Sequence, residues 1–409
     1  MTHGHGHSHG PSTPASAKVR KLVIGLLLPL VLATVVGALV LYPWGGTPVA
    51  NTQGGPTTTV YGVVTGVQSV DCAGGSGKRC DEVTVRLDDG QSVTEPMPVE
   101  PSTPRFSVDD KVVLSYNGGD ARDPSSYQLA DFQRSGPLLV LAALFAAAVL
   151  ALGRWQGAKA LLALVLTFVV LTLFILPAIL AGKDPLAVGI IGSALIMFAV
   201  LYLTHGLSAR TSTAVVGTLV SLGLIGLLGW LFTVVASLTG LNEDTSNLLQ
   251  VLGHGFDARG LLLAGVVIGS VGVLDDVTVT QTSAVWELRR ANPKLGWRQL
   301  YAAGLRIGRD HMSSSVNTLV MAYAGAGLPL LLAYAATGKG VGEVLGLETI
   351  AQELLRTLVG SIGLVASVPI TTVLAALIAM QEKVPVPVVR RRKPRPLRPD
   401  DYPTEPLTL

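Results

Sequence analysis

Eight runs of apolar residues, each close in length to the hydrocarbon core of a bilayer, punctuate this chain and leave few architectures open to it. About 20 helical residues cross that core. Backbone groups there must bond within their own element, so such a chain folds as a bundle of helices. The runs are 22–41, 136–152, 159–180, 186–204, 212–238, 260–285, 317–336 and 357–380. Charged residues are only 14% of the 409 residues, against roughly 25% in soluble domains. The expected fold is an α-helical polytopic membrane protein of about eight transmembrane helices. Pro29, Pro177, Pro329 and Pro369 fall inside the runs, where they kink a helix whose neighbours satisfy the freed carbonyls.

Lysine and arginine set the orientation. With the N-terminus inside, nineteen basic residues flank the spans on the cytoplasmic side and four lie in the short outer loops. Both ends are then cytoplasmic and the number of spans is even. The first run is too long for a signal-peptide core and no A-x-A site follows closely, so it reads as a retained anchor.

Five units follow from this. Residues 1–21 form a disordered, His-rich cytoplasmic tail, and 22–41 the anchor. Residues 42–135 form a small extracytoplasmic β domain, OB-like or a small barrel, because Val- and Thr-rich stretches alternate apolar with polar residues between the turn signals Asp89-Gly90 and Asn117-Gly118. It lacks an aromatic platform and a basic stripe, which excludes nucleic acid as its ligand. Its cysteines, Cys72 and Cys80, are the only two in the chain and flank a Gly-rich loop on the oxidising side, so a disulfide is expected. Residues 136–380 hold the other seven spans. Within them, 296–308 has the spacing of an amphipathic helix in the cytoplasmic interface, and 347–355 that of a short outer helix. The tail 381–409 is Pro-rich, basic and disordered, resting on anionic headgroups. In the first tail His3, His5, His7 and His9 alternate. Imidazoles so spaced bind divalent metals weakly, or simply form a solvated tail.

Two adjacent aspartates, Asp275 and Asp276, lie inside the sixth run. An intramembrane carboxylate is costly and marks an ion, proton or solute path, or else a polar knot between helices. Gly265, Gly269, Gly272, Asp276, Thr280, Ser283 and Glu287 recur every three or four residues and share a face. The glycines are expected to receive another helix, with Asp276 pointing into that contact and Asp275 turned about 100° away. Gln281 lies nearer the cytoplasm, and the seventh run opens with Ser313, Ser314, Ser315, Asn317 and Thr318. Carboxylate, amide and hydroxyl oxygens suit hard cations. A carboxyl that exchanges a proton suits a proton carrier. The expected transport or ion site is therefore Asp275, Asp276, Thr280, Gln281, Ser314 and Asn317. No nucleophile–base–orienter set is visible, and His205, His254 and His311 fall at span ends. An enzyme is not expected, nor a cofactor beyond metal on the histidine tail.

The stretch GVLDDVTVTQTSAVWEL (272–288), the Asn292-Pro293 pair after it and GRDHMSSSVNTLVMAYAGAGLPLLL (308–332) resemble the two signature stretches of the YibE/F-like family of bacterial multipass membrane proteins. The resemblance implies an integral plasma-membrane protein without a settled molecular activity. Members carry an aspartate followed by a small apolar residue where Asp276-Val277 stands, which favours Asp276 over Asp275 as the essential carboxylate. They differ at Gln281 and Thr278. The expected function is movement of a small solute or ion, proton- or cation-coupled. The alternative is a non-transporting scaffold or assembly protein acting through its β domain. Expected partners are the bilayer, that solute, and a second copy or an extracytoplasmic protein.

Overall fold

The computed structural model describes residues 16–46, 58–72, 79–101, 103–252, 257–338 and 340–382. The four tail histidines and nearly all of the C-terminal tail lie outside these residues.

Helix α1 (Ala17–Leu41) starts at Ser16, whose hydroxyl accepts the Val19 N–H. It buries Val19, Val23 and Leu27, one turn apart, and leaves most other apolar side chains open. A helix exposing Leu28, Leu32, Val36 and Val40 is built to face lipid rather than water.

A five-stranded antiparallel sheet follows: β1 (Thr58–Asp71), β2 (Arg79–Leu87), β3 (Ser92–Pro98), β4 (Lys111–Tyr116) and β5 (Tyr127–Phe132), in the order β3-β2-β1-β4-β5. Alternation along β1, β2 and β4 buries Val64, Val83, Val85, Val112 and Leu114 on one side. Both turn signals hold glycines with positive φ, Gly90 at 89° and Gly118 at 80°. The sheet curls on itself and brings the edge strands β3 and β5 together. The Glu95 carboxylate accepts the backbone N–H of Leu129. Pro96 and Pro98 on β3 remove ladder donors there, as edge strands tolerate. Cys72 and Cys80 form a disulfide with Cα atoms 5.1 Å apart.

The remaining described elements are helical: α2 (Ser135–Val170), a π-turn (Leu171–Ile175), α3 (Leu176–Leu180), α4 (Pro185–His205), α5 (Ala209–Val235), α6 (Glu243–Leu252), α7 (Ala258–Ala291), α8 (Trp297–Ala326), α9 (Leu328–Ala335), α10 (Val341–Leu345) and α11 (Glu348–Ala379). Among the described residues, six helices are long and apolar enough to cross a bilayer, or seven if the bent pair α8–α9 counts as one span.

The difference from eight separate runs has local causes. Runs 136–152 and 159–180 fall in one 46-residue helical stretch, Ser135–Leu180. Straight, it would extend about 69 Å, more than twice the hydrocarbon core. It is not straight. Arg154 has φ 49° and ψ −124°, outside the helical region. A Cβ on Gly157 would strike the carbonyl oxygen of Val149, eight residues earlier, so the chain bends sharply at Arg154. Further on, Pro177 cannot donate to Leu173, and the π-turn absorbs the missing bond. The run 317–336 is bent by 59° at Gly327, just before Pro329. The two short helices expected at 296–308 and 347–355 are instead the first parts of α8 and α11. At the start of α11, Glu348 accepts the N–H groups of Thr239 and Gly240, tying the loop after α5.

Helix α7 is the centre of the bundle. It packs against α4, α5, α8 and α11. Leu262, Val266, Val267, Val271 and Leu274 fill one apolar layer, and Val285 and Trp286 a second. Between those layers lies the polar site.

Candidate functional site

Halfway along α7 the buried face turns polar. Thr278 shares a 2.7 Å hydrogen bond with Thr218 of α5, and its hydroxyl also lies 3.2 Å from the carbonyl of Asp275. One turn on, the Gln281 amide donates to the carbonyl of Gly304 on α8 at 2.8 Å and to the hydroxyl of Thr372 on α11 at 2.6 Å. Three helices meet at that side chain. They can because Gly304 and Gly308 lack side chains: a Cβ on Gly308 would lie 2.6 Å from Gln281 Oε1 and 2.5 Å from Val368. Thr371, Thr372 and Ser367 of α11 complete a buried hydroxyl layer.

The two aspartates part company here. Asp275 faces inward, and its Oδ1 is buried without a hydrogen-bond partner among the described residues. The Thr371 hydroxyl of α11, packed against Gly217 of α5, is likewise buried and without a hydrogen-bond partner among the described residues. Such groups are rare in folded proteins and tend to coincide with function. Asp276 faces outward with its side chain 72% exposed, and His311 Nε2 of α8 stands 3.6 Å from its Oδ2. Thr280 is exposed beside it, as are Ser314 and Asn317 on α8. Asp276 and His311 mark an open seam between α7 and α8.

The expected contact over the glycine stripe is therefore formed only in part. Gly269 lies under the Tyr323 hydroxyl, where a Cβ would come within 3.0 Å, but Gly272 has no neighbour within 4 Å. Asp276 points to the seam and not into a helix contact. Of the six residues expected at the site, Asp275 and Gln281 are inside the bundle, and Asp276, Thr280, Ser314 and Asn317 are outside it. Spacing alone missed Thr218, Thr371, Thr372 and His311. Gly304 and Gly308 carried a legible signal, since G-x-x-x-G marks close helix contact in membranes. No three His, Cys, Asp or Glu side chains converge on a common point among the described residues.

The family model described as YibE/F-like protein matches residues 141–381, which include every residue of this site. The chain belongs to the YibE/F-like family. No curated protein and no solved structure matches it. In this YibE/F-like chain the matched region begins within α2 and ends just past α11, so α1 and the β domain precede it.

Proposed function

We propose that this protein moves a small solute or ion across a bacterial plasma membrane, coupled to protons or cations, with Asp275 as the exchanging carboxylate. The observation that carries this reading is the unpartnered Asp275 Oδ1, buried in a span beside a layer of hydroxyls. A carboxylate held there without a job would be a steady cost to the fold. The seam at Asp276 supports the same reading. An open carboxylate on a span needs water or protein against it rather than lipid, which fits a polar path along α7 and α8. In this reading Asp276, His311, Thr280, Ser314 and Asn317 serve the approach, and Gln281 holds three helices around the exchanging group.

The chain then crosses eight times with both termini cytoplasmic and the β domain outside. The nineteen-to-four split of basic residues, the bend at Arg154 and the disulfide in the β domain support that topology. The test is flux into proteoliposomes loaded with a pH dye, under imposed proton, sodium and potassium gradients. Wild-type flux should be lost in Asp275→Asn and reduced in Asp276→Asn, with both variants inserted normally. Tight vesicles for wild type under every gradient would sink the proposal and favour the scaffold role of the β domain.

A further inference from the structure

At the end of the bundle where α1 and α5 begin and α4 and α7 end, a cavity of about 570 Å³ opens among side chains that the transport reading does not use. Three arginines line it: Arg20 from α1, Arg210 from α5 and Arg290 from α7. Its other wall is apolar, with Val23 and Ile24 of α1 one turn and Leu27 two turns above Arg20. Ile24 is also open on the outer face of α1, so the wall of the cavity continues onto a surface built for lipid. Nearby carboxylates do not cancel the arginines. Glu287 lies 3.8 Å from Arg210 and 3.2 Å from Arg290, shared between the two. Glu382, in the cavity wall, is held by the indole N–H of Trp286. Arg20 forms no ion pair among the described residues. The first turn of α5, capped by Ser208, adds the positive end of a 27-residue helix.

We infer that this cavity binds an anionic glycerophospholipid, its phosphate among Arg20, Arg210 and Arg290 and one acyl chain along Ile24 and Leu27. A guanidinium fork matches a phosphate in shape and charge. Basic pockets between membrane helices at the headgroup level hold such lipids. The apolar wall selects a lipid over a free phosphate ester, which would leave Val23, Ile24 and Leu27 wet. The inference shares with the transport reading only the placement of the helices in a bilayer. Flux could fail entirely and this site would stand.

The experiment uses the full chain, delipidated in detergent and offered equimolar phosphatidylglycerol and phosphatidylcholine, with bound lipid counted by native mass spectrometry. Wild type should retain phosphatidylglycerol in preference. Arg20→Gln and Arg210→Gln should each lower that preference about fivefold. Arg306→Gln, exposed on α8 away from the cavity, should leave it unchanged. Equal retention of the two lipids by wild type would overturn the proposal, and so would an equal loss in Arg306→Gln. Displacement of lipid by millimolar glycerol 3-phosphate would overturn it in favour of a soluble phosphate ester. A measurement on the wild type alone guards against misfolding of the variants. Brominated phosphatidylglycerol should quench its tryptophan fluorescence, with Trp286 in the cavity wall, more than brominated phosphatidylcholine does, and equal quenching by the two would count against the site.

Discussion

Gln281 meets two obligations with one amide group, to Gly304 of α8 and to Thr372 of α11. Both bonds are buried, and removing a buried partner costs about 1–3 kcal/mol. Gln281→Leu keeps the size of the side chain and loses both bonds. Thermal unfolding in detergent should therefore fall by that amount. Flux should fall only as far as the fold does, because Gln281 holds helices rather than exchanging anything. Flux abolished at unchanged stability would instead place Gln281 in the path. Asp275 contrasts with it at the same scale. It satisfies no neighbour through Oδ1, so Asp275→Asn should leave stability nearly intact. That a carboxylate lies in this span was plain from the sequence. Which of the two adjacent aspartates turns inward was not. Helical periodicity says that Asp276 lies on the glycine face, but it is silent on what packs there. In the fold, that face receives Arg356 at Gly265 and Tyr323 at Gly269 and is open at Gly272.

The elements were legible to the extent that their causes are local. Valine and threonine alternation located β1 to β4 but not β5, whose sequence YQLADF lacks that pattern, and the two turn glycines fall where Asp89-Gly90 and Asn117-Gly118 suggested. Helix breaks were mixed, since Pro177 takes a π-turn and Gly327 a bend, while the break at Arg154 falls in the gap between the runs 136–152 and 159–180. The closure of the sheet was hidden for another reason. It rests on contacts between residues far apart in the chain, among them Glu95 of β3 reaching Leu129 of β5. Burial pushes the Glu95 carboxyl above the ordinary carboxylate range, with the Leu129 N–H pulling the other way. The folded domain thus holds that proton to higher pH than the unfolded chain does. Its contribution to stability is complete below the unfolded pKa and declines as pH rises through the folded value. Amide exchange along β5 should therefore quicken as pH climbs through that window, after correction for intrinsic exchange. The increase should vanish in Glu95→Gln. A profile identical in wild type and variant would mean that another group closes the sheet.

On the scale of the whole molecule, a family-matched helical core is joined to a β domain and an N-terminal helix that lie before the match. The question this raises is whether the two parts share one activity. The disulfide gives a way to ask. It closes a loop between residues eight apart in the chain, Cys72 and Cys80, and for a loop that short the chain-entropy model assigns about 2–3 kcal/mol. Its effect is confined to the β domain, since neither cysteine touches the bundle layers built on α7. The double variant Cys72→Ser, Cys80→Ser should therefore loosen the domain, seen as faster amide exchange in β1 and β2, and leave α7, α8 and α11 unchanged. If the solute path lies at Asp275, flux in proteoliposomes should persist at near the wild-type rate with the domain so weakened. Loss of flux without any change in exchange along α7 would mean that the β domain gates or loads the path, and the core alone would no longer account for the activity.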